Sequence, residues 1–224
     1  MGIANLKVKT KIMILWTIQP ENIYYNILDT GFFHCDFNRI QFPEFKLYYD
    51  WLAEEMVKRI GQPPVGVSYP VWAWYTQNGI QKKPDLRRER WQNGWKGDRF
   101  VCIVIDIPED KVLLSDFDAW SIILNNGLLS ESEQEDMLLE ERYNTLSPDL
   151  REEFKRRNWE RVFDIELMNN NWMSRGLWIQ ATFWELRKED IRNVLFFTAA
   201  KPKRMLYKTV YNITNPLIIE KGFT

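Results

Sequence analysis

The chain has 224 residues, 45% hydrophobic and 27% charged, a balance that suits one soluble domain with a sizeable core and excludes wholesale disorder. Lysine plus arginine (30) nearly cancels aspartate plus glutamate (31), so no global field draws the protein to nucleic acid or an anionic membrane, and any such attraction is local. No run approaches the roughly 20 apolar residues that span a bilayer, and the first residues lack the apolar stretch of a signal peptide, which predicts a cytoplasmic protein with no membrane partner.

From Leu6 to Trp16 the chain alternates and then turns continuously apolar, which predicts a strand entering a core. Pro20 to Thr30 follows as a helix with Ile23, Ile27 and Leu28 on one face, Pro20 at its first turn and Gly31 at its exit. Pro43 to Ile60 is the clearest helix, with Tyr48, Trp51, Leu52 and Met56 at helical spacing and Gly61 just past the end. A Pro-Pro connector leads to Tyr69-Pro-Val-Trp-Ala-Trp-Tyr75, a strand whose Trp72 and Trp74 share one face.

Gln77 to Arg99 shows no periodicity and carries seven basic residues against three acidic ones, with Trp91 and Trp95 between them. It reads either as a solvated loop or as a phosphate-binding loop, since arginine offers a two-pronged fork to phosphate oxygens. Phe100 to Ile107 is a strand apolar on both faces, ended by Pro108. Val112 to Ser115 is a shorter strand, followed by a helix through Asn125. Residues 130 to 160 are rich in Glu, Asp, Lys and Arg and predict acidic surface helices, an insertion covering one side of the sheet. Strands return at Gly176 to Leu186 and Val194 to Thr198, and Met205 to Ile219 closes the chain with one or two more. The order is irregular, not βαβ-repetitive, so the predicted class is α+β in a single domain over residues 1–224.

Signatures of common enzymes are missing: there is no GxGxxG, GxxxxGK[ST], HExxH or GxSxG. Cys35 and Cys102 stand far apart and the one histidine, His34, cannot build a zinc site with them, so no metal is expected. His34 reads either as a satisfied structural histidine or as a general base. The neighbouring Cys35 is a poor partner for it, because adjacent residues of an extended strand point to opposite faces. Eleven tryptophans are many for this length. Large aromatics fill cores, but a few of them can also wall a flat slot in which a base stacks.

In order along the chain stand Leu-Trp-Thr-Ile-Gln-Pro, His-Cys-Asp, Tyr-Pro-Val-Trp-Ala-Trp-Tyr, Lys-Lys-Pro-Asp-Leu-Arg-Arg, Leu-Leu-Ser-Asp-Phe-Asp-Ala-Trp and Ile-Gln-Ala-Thr-Phe-Trp-Glu-Leu. With these blocks the whole chain resembles a bacterial and phage domain family of unknown function. Thr17, Asn22 and Ile27 to Gly31, then Ser115-Asp116-Phe-Asp-Ala119, then Gln180-Ala-Thr-Phe183 also resemble the opening, middle and close of DarT-type DNA ADP-ribosyltransferases.

That second resemblance implies an ADP-ribosyltransferase-like fold of split, mixed or antiparallel sheets with peripheral helices. It implies NAD or a related nucleotide as ligand, with a nucleic acid or a protein as acceptor. It places Thr17, Gln19 and Asn22 as hydrogen-bonding groups, Trp74 or Tyr75 as a stacking wall and Arg87 or Arg88 on the pyrophosphate. Gln180 would stand on the closing strand. Two positions depart: Leu15 falls where the family has a basic residue, and Thr182 where it has the catalytic glutamate. Glu185 is then either the carboxylate left to stabilise a developing cation or a residue that marks the strand's exit to solvent and pairs with Arg187 or Lys188. The competing readings are a non-catalytic module that engages a nucleotide or a host protein, and a binder of single-stranded nucleic acid through the basic loop and its tryptophans.

Overall fold

The structure is a computed structural model that describes residues 10–35 and 43–201. The expected strand at Met205 to Ile219 lies outside the described residues.

The first strand, β1 (Ile12–Pro20), stops at a proline that cannot continue the ladder, and α1 (Glu21–Thr30) begins at once. Gly31 ends α1 with φ 91°, left-handed backbone that glycine adopts without a Cβ clash, and its N–H donates to the Ile27 carbonyl. After a two-residue strand β2 (Phe32–Phe33), a short 3-10 turn at Pro43–Phe45 opens α2 (Lys46–Ile60). Then follow β3 (Val71–Thr76), α3 (Leu86–Gln92), β4 (Arg99–Pro108), β5 (Leu113–Asp116) and α4 (Phe117–Leu124). The remaining elements are α5 (Glu133–Thr145), α6 (Pro148–Trp159), β6 (Met168–Asn169), β7 (Ser174–Arg175), β8 (Ile179–Phe183), β9 (Leu186–Arg187) and β10 (Ile191–Thr198).

Six of these strands form one antiparallel sheet in the order β10-β4-β1-β3-β8-β5, flanked by the two-stranded pairs β2-β9 and β6-β7. The class is α+β, as the sequence implies. Among the described residues no helix is long and apolar enough to cross a membrane.

Alternation sorts the core into layers. Met13 and Leu15 of β1, the odd residues Val101 to Ile107 of β4, Ala73, Ala181 and Phe183 point to one face, where Ile23 and Ile27 of α1 cover them. On the other face, α2, α4 and α6 cover only the β3-β8-β5 half, with Trp51, Trp120, Trp159 and Trp184 filling the space between. The β1-β4-β10 half of that face carries a smaller cluster of Trp16, Cys102 and Val104, against which Leu86 of α3 packs. Two separate covers on one sheet face leave a furrow between them.

Two expectations change here. The 130–160 region does form two helices, but only α5 is a surface helix without buried residues. Trp159 of α6 is fully buried and its indole N–H donates to the Gly127 carbonyl at 2.8 Å, while Asn158 binds both backbone groups of Leu129 at 2.6 and 2.9 Å. α6 is thus part of the core, and its charged composition conceals one buried end. The basic stretch is the second change, because it contains a helix, α3. Asp85 caps it by accepting the Arg87 N–H, and with only Leu86 and Trp91 apolar among its seven residues there is no apolar period to read.

Candidate functional site

The furrow opens at a parting in the central sheet. β1 pairs with β4 along its whole length, and β3 pairs with β8, but β1 and β3 meet at a single register point, Trp16 opposite Trp74. Beyond it the strands splay, and side chains take over from the ladder. The Thr17 hydroxyl donates to the Trp72 carbonyl at 2.9 Å and accepts from the Gln19 amide at 2.8 Å. The resulting cleft has a volume of about 310 Å³. One wall is Trp16, Thr17, Ile18 and Gln19, the opposite wall is Trp72, Ala73, Trp74 and Gln180, and α3 closes the side with Glu89, Gln92 and Asn93.

Apart from Glu89 the lining is uncharged, shared between aromatic or apolar side chains and hydrogen-bonding ones. The Trp74 ring is fixed from behind by Phe117 and Trp178, with ring centres 5.3 and 6.0 Å away, so a flat aromatic wall is preorganised. Glu89 is only 9% exposed, and burial pushes its carboxyl above the ordinary glutamate range; hydrogen bonds from Asn93, at 2.9 Å, and Gln77, with Arg88 nearby, offset part of that rise. Burial also pushes the Cys102 thiol up to about 12, so it is no nucleophile at neutral pH. Gln180 Oε1 and Ser115 Oγ, on residues directly opposite in the β5-β8 ladder, are buried without a hydrogen-bond partner among the described residues. Each such orphan costs about 1–3 kcal/mol unless something supplies a partner. Among the described residues no group of three or more His, Cys, Asp or Glu side chains is placed to hold a metal ion.

Four of the expected site residues converge here: Thr17, Gln19, Trp74 and Gln180 all line the cleft. The others stand elsewhere. Asn22 is exposed on α1, and Tyr75 packs on the opposite face of the sheet from Trp74, as neighbours on a strand must. Arg87 and Arg88 do not share the cleft with Trp74. The Arg87 side chain is 90% exposed and forks onto Asp85 at 3.0 and 2.8 Å, and Arg88 is also exposed. Because the stretch is helical, the face three and four residues apart, Glu89, Gln92 and Asn93, turns inward and the arginines turn out.

Glu185 is also away from the cleft. It follows the end of β8, roughly 16 Å of extended chain beyond Gln180. There the β2-β9 pairing brings His34 against it, with Nε2 to Oε2 at 2.5 Å, and Arg187 Nε meets Oε1 at 2.5 Å. Burial works to raise this carboxyl, but His34 and Arg187 outweigh it and hold it below the ordinary range. Thr182 is fully buried and its hydroxyl donates to the Leu113 carbonyl at 3.2 Å. In the middle block, Asp116 caps α4 through the Ala119 N–H at 2.9 Å and takes the Gly176 N–H at 2.8 Å, a structural use of that acid. Sequence reasoning missed Trp16, Glu89, Gln92 and Asn93 as lining residues. The alternation that paired Trp72 with Trp74 also placed Trp16 toward one face of β1, which was a usable signal; α3 offered none.

The family model described as a domain of unknown function (DUF3841) matches residues 14–192, which run from within β1 into β10 and include every cleft residue named above. The chain belongs to this family. No curated protein and no solved structure matches it.

Proposed function

We propose that this chain is an ADP-ribosyltransferase-like protein that binds NAD or a related nucleotide in the cleft between β1 and β3. The observation that carries this reading is the single-point contact of the two strands, which leaves two tryptophans and the polar groups of Thr17, Gln19 and Gln180 around one hollow. Large aromatic walls with a few convergent polar groups are what small-molecule sites are made of. Binding is favoured over transfer, because Thr182 is buried and Glu185 is spent in ion pairs outside the cleft. Any glycosidic cleavage there would draw on Glu89, the carboxyl that lines the cleft.

Calorimetric titration of the full chain with NAD, paired with a nicotinamide-release assay, tests the reading. The expected result is saturable binding that weakens in Trp74→Ala, with release either absent or lost in Glu89→Gln and kept in Glu185→Gln. No binding of NAD, nicotinamide riboside or adenosine overturns it.

The outer face of α3 favours a second reading. Arg88, Arg90 and Trp91 are exposed on the helix and Lys82 and Lys83 on the segment that leads into it, and the four cations make no ion pair among the described residues. Cations beside an exposed aromatic suit a short single strand of nucleic acid, of the order of 4–16 nucleotides. Salt-sensitive binding of an oligonucleotide that is lost in Arg88→Ala/Arg90→Ala supports this use of the helix; its absence removes it.

A further inference from the structure

Resting on the reading of the cleft as a nucleotide site, we infer that it recognises the uncharged ring of its ligand and leaves the phosphates in solvent. The ring is a base or carboxamide-bearing heterocycle that presents an exocyclic N–H to Gln180.

Three observations converge on this. The first is charge. Among the described residues no Lys, Arg or His lines the cleft, the one ionisable lining group is the Glu89 carboxyl, and the nearest arginines of α3 are turned outward. A phosphate inside would meet an acid and amide groups with no cation to offset it, whereas nucleotide sites that hold phosphates do so with basic side chains or rows of backbone N–H groups.

The second is size. About 310 Å³ stands at the lower end of the roughly 300–1,000 Å³ of small-molecule sites, enough for a base and its sugar but short of two nucleosides joined through a pyrophosphate. The third is the orphan acceptor. Gln180 lines the cleft directly across the ladder from the Trp74 wall, and its Oε1 is buried with no donor among the described residues, so the carboxamide turns toward the hollow to accept from a ligand. A carboxamide accepts and donates side by side, the pattern that matches the adjacent amino group and ring nitrogen of adenine, or a second carboxamide such as that of nicotinamide. A ring stacked on Trp74 with that edge toward Gln180 uses both features at once.

The test is competition calorimetry on the full chain with NAD, nicotinamide riboside, adenosine and N6,N6-dimethyladenosine, at low and high salt. We expect the better of the two parent nucleosides to bind within about threefold of NAD, since charge-assisted phosphate contacts would separate them by about tenfold or more. Affinity should be nearly the same at both salts, and, if adenosine is the better, the dimethylated ring should lose about tenfold or more for want of a donor. Gln180→Leu should weaken the nucleoside by at least about tenfold with no fall in melting temperature, because an orphan acceptor contributes nothing to the ligand-free fold.

NAD binding with nucleosides tenfold weaker overturns this inference and leaves the nucleotide reading standing. Nucleoside binding without NAD binding overturns both, because phosphates left in solvent would not keep NAD out. A Gln180→Leu protein that melts much lower but binds normally shows Gln180 to be structural and overturns the inference; no binding by any ligand overturns both.

Discussion

At one end of β8, Gln180 borders an open hollow with an acceptor that nothing in the described structure satisfies. At the other end, Glu185 is held from two sides, by His34 and by Arg187, each at 2.5 Å. The same strand therefore finishes its polar work at one end and leaves it open at the other. The closed end is built by β2 and β9, which tie the strand into a second small sheet. The open end lies where β1 and β3 part and no ladder consumes the polar groups. A perturbed, partnered carboxylate marks architecture as readily as chemistry, so the unpartnered groups are the better guide to where a ligand goes.

The most severe way to test the comparison lies between the two ends, at Thr182. If the closing strand needed only its carboxylate restored, Thr182→Glu would create a transferase. Thr182 is fully buried with its hydroxyl committed to Leu113, so a glutamate there has neither water nor a cation. We expect Thr182→Glu to lose about 4 kcal/mol or more, read as failure to fold or a collapsed denaturation midpoint, with no nicotinamide release. A stable, active Thr182→Glu protein would break the distinction.

Next in size is the aromatic wall. Trp74→Ala removes the face on which the proposed ligand's ring would stack, and NAD or nucleoside affinity should fall by roughly 1–3 kcal/mol in calorimetry. Phe32→Ala, beside His34 at the closed end, removes a partly exposed aromatic of similar size and should leave binding unchanged. Equal effects of the two would mean that the cleft has no special claim.

Much of this arrangement was legible in the sequence. Pro20 and Gly31 bracket α1, and the doubly apolar run of β4 marks a strand buried on both faces between β1 and β10. Thr17, Gln19, Trp74 and Gln180 were found through the likeness of their blocks, and the sheet brings them together across about 160 residues. What stayed hidden is non-local. Nothing in Val71–Thr76 says that β3 touches β1 at one point only. The Arg187 partner of Glu185 was readable two residues along, but its second partner, His34, is 151 residues away and joined to it only by the β2-β9 pairing. Glu89 stayed unseen because a seven-residue helix with four consecutive charges gives no period, so neither its helicity nor its inward face was readable.

The two carboxyls of this comparison should answer pH with opposite sign. Glu185 sits below its ordinary 4.5 in the fold, so its pair stabilises the protein above 4.5, and that contribution is lost as pH falls through the folded value. Glu89 sits above its ordinary 4.5, so the folded state binds the extra proton. Its stability is full below 4.5 and is lost as pH rises toward the folded value. Denaturant midpoints across the acid range should therefore show Glu185→Gln flattening the loss of stability at low pH, while Glu89→Gln gains on the wild type as pH rises above 4.5. Parallel profiles for the two variants would show that the environments do not differ as described.

The smallest effect concerns the arginines. Arg87 and Arg88 look like phosphate ligands in sequence, a pair of cations in a basic stretch rich in tryptophan. In the fold they lie outward on α3, and Arg87 is occupied by Asp85, the residue that caps its own helix. Exposed ion pairs of this kind are screened by water and salt, and a ligand seated among Trp74, Gln180 and Glu89 is on the other side of the helix. Arg87→Ala and Arg88→Ala should each leave nucleoside affinity within about twofold of wild type and the melting temperature almost unmoved. A large loss of NAD affinity in Arg88→Ala, with adenosine binding intact, would show instead that a phosphate reaches around α3 from the cleft. That outcome would extend the open end of β8 onto the helix's outer face and join the cleft to the exposed cations there.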